Sequence, residues 1–533
     1  MSETPVAPGY GAITALLIVI ACSVWLGTVA QRVVSKGSFL KGYFLGNRGL
    51  GVWAMALTAT VQSGGTFMGF PSLVYTHGWS VSLWIGSYMI VPLTGFAVVG
   101  KRLAQVSRRT GAITVPDLFR GRFSNTTVGL VASLLILFFL TFMMIAQFKA
   151  GGLIMKLSWP GSGELKLAED AAADAFGQTY QIGLIVFALT VVGYTLIGGF
   201  LASVWTDLFQ SVLMFLGVMG LLYLTFTSPE VGSLEQATRT AVAQTGEGFI
   251  NAAGYSKEPG RSFLTPSLAV SFFFVWIFGG MASPASISRV MAAKETATLR
   301  RSIVVLAVYN SFIYVPLICI CMAARVIYPD VASSDEIIPR MALWATRDLP
   351  LSSFWAGLIL AAPFGAVMAT VSSYLVVISS GVVHDVYQRF FRPAAAEKEL
   401  KYTTYVVMTL LGATCWGANI SPVRYLQALV VFCTSGGAAA FLVPAIMSAY
   451  WRRATAAGAL AAMISGAATV LILFAIGLQS PDPMIGQATS FRPYFLFGME
   501  PVVWGILLSA IAGVSVSLKT TPPPQEHIEK IFA

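Results

Sequence analysis

The chain has 533 residues, of which 56% are hydrophobic and only 11% charged, and a formal net charge of +10. A soluble domain carries about 25% charged residues, so a soluble surface of this size could not be covered. A secreted enzyme, a nucleic-acid binder and a disordered scaffold are excluded; an integral membrane protein remains, with its basic excess assigned to cytoplasmic loops.

A bilayer crossing needs about 20 apolar residues. Apolar runs predict an all-α polytopic membrane protein of about 13 transmembrane helices, at 10–31, 50–76, 79–100, 127–150, 179–199, 201–226, 266–288, 302–327, 352–383, 402–419, 424–449, 454–477 and 499–518. The first run is read as a span and not as a signal peptide, because Glu3 precedes it and Arg32 is its first basic residue.

In the second run Ser63-Gly64-Gly65-Thr66 sits mid-span. Glycine costs about 1 kcal/mol inside a helix, so a helix break and close packing at small residues compete as readings. In the fourth run, Gln147 and Lys149 lie near the outer end, and Lys149 is expected to snorkel to the interface. The polar stretches 150–178 and 227–265 read as solvated loops with some interfacial helix.

Asp207 falls in the sixth run, about 10 Å past its cytoplasmic start at 1.5 Å per residue. No Lys or Arg shares its helix, which favours an ion site over a satisfied interfacial carboxylate. The seventh run holds Gly279-Gly280 and Pro284, a second break candidate. In the ninth, Ala366, Thr370 and Ser373 share one helical face with Ser372 beside it. Each hydroxyl alone would back-bond to its own helix; clustered opposite a break, they suit a cation. Thr434-Ser435-Gly436-Gly437 interrupts the eleventh run as a packing or hinge segment.

The five cysteines read as core thiols and the three histidines form no metal or catalytic pattern. The end after Leu518, with Pro522-Pro523-Pro524, reads as a disordered cytoplasmic tail, 519–533. With the N-terminus outside, 22 of the 33 Lys and Arg fall on the cytoplasmic side, including six between 101 and 122 and four between 289 and 301. The C-terminus is then cytoplasmic.

The two break candidates lie five spans apart, so they cross the bilayer in opposite directions. That is the pattern of an inverted repeat, 50–226 against 266–449, with a binding site near the midplane. A break after Gln62 strips the Ala59 and Gln62 carbonyls of their amide donors, and freed carbonyls suit a small hard cation.

Five blocks resemble the sodium:solute symporter family, whose members carry pantothenate, proline, sugars and sialic acid. They are Tyr43-Phe44-Leu45-Gly46, LTATVQSGGTFMGFP (57–71), YTLIGGFLASVWTD (194–207), LAAPFGAVMATVSS (360–373) and Tyr450-Trp451-Arg452-Arg453. YFLGNR (43–48), LTAT (57–60) and LAAP (360–363) look most like the pantothenate branch, while VWTD (204–207) and MGFP (68–71) look equally like proline and sugar carriers. The resemblance implies a LeuT-type 5+5 inverted repeat in one transporter domain, 1–533. It implies a sodium site from the Ala59, Gln62 and Ala366 carbonyls and the Thr370 hydroxyl; Ala369 stands where a second hydroxyl, usually Ser, is expected. A second cation arrangement of Asp207, Ser372 and Ser373 is implied as well. Ser63, Gly64, Thr66, Gln147, Gly280 and Ser283 are expected to contact the solute, and Tyr374 is a weaker candidate.

The expected function is secondary active transport: sodium-coupled symport of a small organic solute into the cell by alternating access, a pantothenate-like carboxylate ahead of proline or sugar. Alternatives are a proton-coupled carrier of the same fold or a transporter-like solute sensor. No enzymatic activity, organic cofactor or nucleic-acid partner is expected; sodium, the solute and the lipid of the cell membrane are the expected partners.

Overall fold

The computed structural model describes residues 9–34, 39–58, 63–160, 177–256, 262–331, 333–422, 426–479 and 491–532. Among these, every regular element is helical apart from one parallel bridge between Leu50 and Ala293. Ten helices are long and apolar enough to cross a membrane. They account for most of the apolar runs; the remainder have visible local causes.

After α1 (Tyr10–Val34) and α2 (Phe39–Leu45), the second run is not one helix. It is split into α3 (Val52–Thr58) and, on the orientation expected from the charges, an outer arm made of a π-helical turn, Gly65–Gly69, and α4 (Phe70–His77). Then α5 (Ser80–Tyr88) runs through a second π segment into α6 (Lys101–Thr110). The short α7 (Val115–Phe123) starts where Thr114 accepts the Asp117 amide and Pro116 takes a first-turn position. The long α8 (Thr126–Ser158) is capped by Asn125.

The fifth and sixth runs form one 50-residue element, α9 (Gln178–Thr227). At 1.5 Å per residue a straight helix of this length would measure about 75 Å, more than twice an apolar core of about 30 Å. The chain turns at Gly199, whose φ of 57° and ψ of −139° are open to glycine. A Cβ there would also lie 2.6 Å from the Tyr43 ring.

A short helix, α10 (Leu234–Thr245), leads to the seventh run, split into α11 (Pro266–Ala282) and α12 (Pro284–Met291). The break falls at Ser283, with φ −58° and ψ 123°, immediately before Pro284. Gly279 and Gly280 are helical and mark close packing instead: a Cβ would meet Thr434 at 2.2 Å and Val91 at 2.4 Å. Both readings of this run therefore hold, at different residues.

There follow α13 (Thr296–Ile327), the short α14 (Ile337–Ala345), α15 (Ser352–Ser380) with a π-helical extension to Phe391, and α16 (Glu397–Ala418). Charged Glu397, Lys398, Glu399 and Lys401 at the start of α16 keep it out of the most apolar set. The series closes with α17 (Leu426–Tyr450), α18 (Ala456–Gln479) and α19 (Pro501–Lys519).

The tail is not wholly irregular. Past the three prolines, α20 (Gln525–Phe532) packs on α6, burying Ile528 and Ile531. Arg109 donates to the Ile531 carbonyl, and Phe532 lies under the Arg122 and Arg452 guanidinium groups. The expectation of a disordered end missed this because its contacts come from residues far away in sequence.

The core lies where α9 packs along α15, with α1 and α8 on either side; α17 faces α8 and α11, and α18 and α19 pair against it. The two broken elements meet this core, and the Leu50–Ala293 bridge ties the start of one to the end of the other.

Candidate transport site

The outer arm of the second run restarts with its amides accounted for. The Gly64 N–H donates to Gln147 Oε1 at 2.7 Å, and the Gly65 N–H to Ser63 Oγ at 3.1 Å. The Ser63 carbonyl accepts from Thr66 and Phe67, and the Ser63 N–H donates to Thr66 Oγ1. Gln147, expected to touch solute, is held through its Oε1 on the Gly64 amide at the break. Gly64 fits because Ala150, Gln147 and Val367 crowd it: a Cβ would meet them at 2.8, 3.0 and 3.3 Å.

Two cavities adjoin this restart. One of about 100 Å³ is lined by Ser63, Gly280 and Ser283 of the expected solute contacts, with Tyr88, Trp276 and Tyr374 as its aromatic wall. The other, of about 50 Å³, is lined by Ser63, Thr66, Tyr88, Trp276, Tyr314 and Gln427 among others. Ser63, Tyr88, Trp276 and Val430 belong to both, so the break stands at the waist of a two-part chamber. Among the described residues, no Asp, Glu, Lys or Arg lines either part. The polar groups that line it are hydroxyls, aromatic residues and the Gln427 amide.

Gln427 was missed. It is 2% exposed, and its Oε1 has no hydrogen-bond partner. A lone glutamine in an apolar run of α17 was the available signal.

Of the first cation set, Ala59 and Gln62 lie outside the described residues. Ala366 and Thr370 are fully buried on α15, and Thr370 Oγ1 donates to the Ala366 carbonyl at 2.9 Å. Back-bonding thus takes the hydroxyl hydrogen, while a hydroxyl oxygen retains lone pairs for a cation. Ala369 is 2% exposed and presents only a methyl group.

The second set does come together, around a cation that the chain itself supplies. Arg289 of α12 places Nη2 2.5 Å from Asp207 Oδ2, 3.1 Å from Ser203 Oγ and 3.2 Å from Ser373 Oγ. Ser372 Oγ lies 3.0 Å from Ser203 Oγ and donates to the Ala369 carbonyl. Looking for a counter-charge only within the same helix hid this partner, 82 residues on.

Lys149 does not snorkel. It is 1% exposed and pairs at 2.9 Å with Asp335, in the loop after α13. Asp335 also accepts the Leu426 N–H at the start of α17, and neighbouring Ser334 bonds Ser72 of α4. One loop thereby joins the outer arm of the break, α8 and α17.

A third polar cluster was also missed. Asp117, His384 and Asp385 bring ligand-type atoms within 4.8 Å of one another. Arg120 and Arg389 already pair with Asp117, and Thr114 donates to Asp385, so α7 is tied to the end of the ninth run. Burial alone would raise the Asp117 carboxyl, but His384, Arg120 and the Ile113 amide hold it well below the usual range.

Two broken helices face a chamber inside a bundle of apolar helices, an arrangement suited to a carrier of small solutes. The sodium:solute symporter family model matches residues 43–466, and the chain belongs to that family. It is thus a multi-pass membrane protein of sodium-coupled symport. It is 29% identical to a sodium/pantothenate symporter of Escherichia coli (strain K12) over 96% of both chains. It is 30% identical to a sodium/pantothenate symporter of Haemophilus influenzae, over 84% of this chain and 86% of the relative. An osmoregulated proline transporter of Bacillus subtilis is 29% identical over 92% and 91%. A substrate-bound, outward-open Na+-coupled sialic acid symporter has the same fold, with a TM-score of 0.71 at 19% identity over 97% of this chain and 99% of that one.

Proposed function

We propose that the protein imports a small organic solute, a pantothenate-like carboxylate ahead of proline or a sugar, together with sodium, and acts as a carrier and not as an enzyme. The carrying observation is the two-part chamber at the break, lined by Ser63, Thr66, Gly280 and Ser283 with an aromatic wall. Its size suits a small solute; with no basic side chain among the described lining residues, a carboxylate there would be held by hydroxyl and amide donors, and the preference for it rests on the relatives. The pantothenate symporters among the relatives support the substrate preference.

In this reading the chain crosses the membrane 13 times, N-terminus outside and C-terminus in the cytoplasm. Residues 50–226 and 266–449 form the two five-helix repeats. Breaks at corresponding places in the two repeats support that division. Sodium is held by the Ala59, Gln62 and Ala366 carbonyls and Thr370 Oγ1. With one hydroxyl fewer than the family pattern, the site should bind sodium weakly.

The test is uptake of labelled pantothenate, proline, glucose and sialic acid into vesicles containing the purified protein, with and without a sodium gradient. Sodium-driven accumulation of pantothenate is expected. Uptake driven by a pH gradient alone and indifferent to sodium would overturn the coupling; transport of none of the four would overturn the solute class.

A further inference from the structure

The short helix α20 (Gln525–Phe532) stands where three parts of the chain meet, α6, the end of α7 and the corner between α17 and α18. The transport site makes no use of it. We propose that α20 is a clasp on the cytoplasmic side. It rides on α6 and grips α7 and the α17–α18 corner, holding the chamber closed to the cytoplasm until the grip is released in each cycle. The proposal rests on the orientation expected from the charges.

The root of the clasp is on α6. There α20 packs with Ile528 8% and Ile531 2% exposed, and Arg109 Nη1 donates to the Ile531 carbonyl at 2.5 Å. A helix this short is not stable in water by itself, so its order comes from this contact.

The grip is made by two other side chains. His527 Nε2 donates to the Arg122 carbonyl at 3.0 Å, and the ring lies 3.1 Å from Ser124 Oγ, at the end of α7. The Phe532 ring lies under the guanidinium groups of Arg122, at 5.1 Å, and Arg452, at 5.7 Å. Arg122 is fully buried and donates to the Ser448 and Trp451 carbonyls, so α7 and the end of α17 form one body. His527 and Phe532 are only half-buried, whereas the isoleucines of the root are buried. The grip is therefore the contact that parts first.

What it closes is a seam. α6 packs on α12, the short helix after the second break, and also meets α17. At that meeting Tyr450 of α17 donates to the Val98 carbonyl, and the Arg102 guanidinium lies 5.9 Å from its ring. The chamber wall includes Ala285 and Ser286 of α12 together with Gly437 and Phe441 of α17. Moving α6 and α12 away from α17 would open the chamber between them, which is the rocking that alternating access requires. α20 spans the same seam from α6 to the α7–α17 body.

Cys433 reports on this without any solute, because it lines the chamber. Sealed inside-out vesicles holding the full-length protein are treated with a membrane-impermeant maleimide, and the labelled Cys433 peptide is measured by mass spectrometry. His527→Ala/Phe532→Ala removes the grip and leaves the root. Its Cys433 should be labelled about tenfold faster than in the wild type, since a cation–π contact and a hydrogen bond are lost together. Ser124→Cys/His527→Cys, joined by a short reducible thiol bridge, keeps the grip shut. Its labelling should fall below that of the wild type and return when the bridge is cut, with bridging reagent on the wild type as control. The bridged pair decides the matter even if the alanine pair fails to fold, which melting in detergent shows. Equal labelling of wild type and bridged protein, or of wild type and a folded alanine pair, would overturn the proposal. Acceleration seen only in right-side-out vesicles would overturn the orientation, and the clasp with it.

Discussion

The space beside Gly64 makes a quantitative claim. Its backbone is ordinary helix, φ −55° and ψ −28°, so any cost of substitution is steric and not conformational. The first carbon of an added side chain would lie 2.8 Å from the Ala150 methyl, far inside van der Waals contact, and 3.0 Å from Gln147 Oε1. Ala150 cannot swing aside, because it sits in α8 and is fully buried. Gln147 can move only by giving up the 2.7 Å hydrogen bond from the Gly64 amide. Overpacking costs about 1–3 kcal/mol, and leaving a buried N–H unpaired costs about 1–3 kcal/mol. Because one movement relieves part of both, Gly64→Ala should destabilise this arm by about 2–4 kcal/mol.

Since 1.4 kcal/mol is tenfold in an equilibrium, that cost would largely empty the arrangement in which the arm borders the chamber. Sodium-driven uptake by Gly64→Ala should fall at least tenfold with membrane insertion preserved, and Gly64→Leu should abolish it. Relief comes from the other side of the contact. Ala150→Gly removes the 2.8 Å clash for a helix-propensity cost of about 1 kcal/mol, so Gly64→Ala/Ala150→Gly should recover much of the lost uptake. Full uptake by Gly64→Leu, or no recovery in the pair, would refute the reasoning.

Breaking the buried Lys149–Asp335 pair from one side should cost about 3–5 kcal/mol, whereas replacing both by apolar residues should cost much less. Melting of Lys149→Met, Asp335→Leu and the double variant in detergent checks this, and single variants as stable as wild type would refute it. Asp117 titrates low when folded, so its stabilisation is fully present above the unfolded value of about 3.9 and is lost as pH falls through the lower folded value. Asp117→Asn should melt below the wild type at neutral pH, and the gap should close as pH drops under about 4; a pH-independent gap would contradict this. Ala369→Ser should lower the sodium concentration for half-maximal uptake, and Thr370→Ala should raise it; unchanged sodium curves would remove Thr370 from the site.

What could be read from the sequence was local. Apolar length, the glycines at 64 and 65 and the proline at 284 act on their own few residues, so the runs and the two break candidates were visible. Even there the seventh run misled in detail. Glycines signal a break and close packing alike, and only the facing Thr434 and Val91 reveal that Gly279 and Gly280 serve packing while Ser283 carries the break.

The partners of the buried charges were hidden for the opposite reason. A lone Lys149 in an apolar helix looks like a snorkelling end, and a lone Asp207 looks like an ion ligand, because neither helix contains a counter-charge. A multi-span bundle does not need one there, since every buried helix face is also another helix's neighbour. The partners stand 186 and 82 residues away, at the flanks of the broken elements. Those breaks are also where such charges are best placed. Arg289 is in the short helix that follows Ser283, and Asp335 is in the loop bonded to the outer arm after Ser63. Each ion pair thus ties a broken element to unbroken ones, α12 to α9 and α15 on one side, the outer arm's loop to α8 and α17 on the other. Among the described residues the chamber between them is lined by no fixed charge, while these charged residues hold the frame around it.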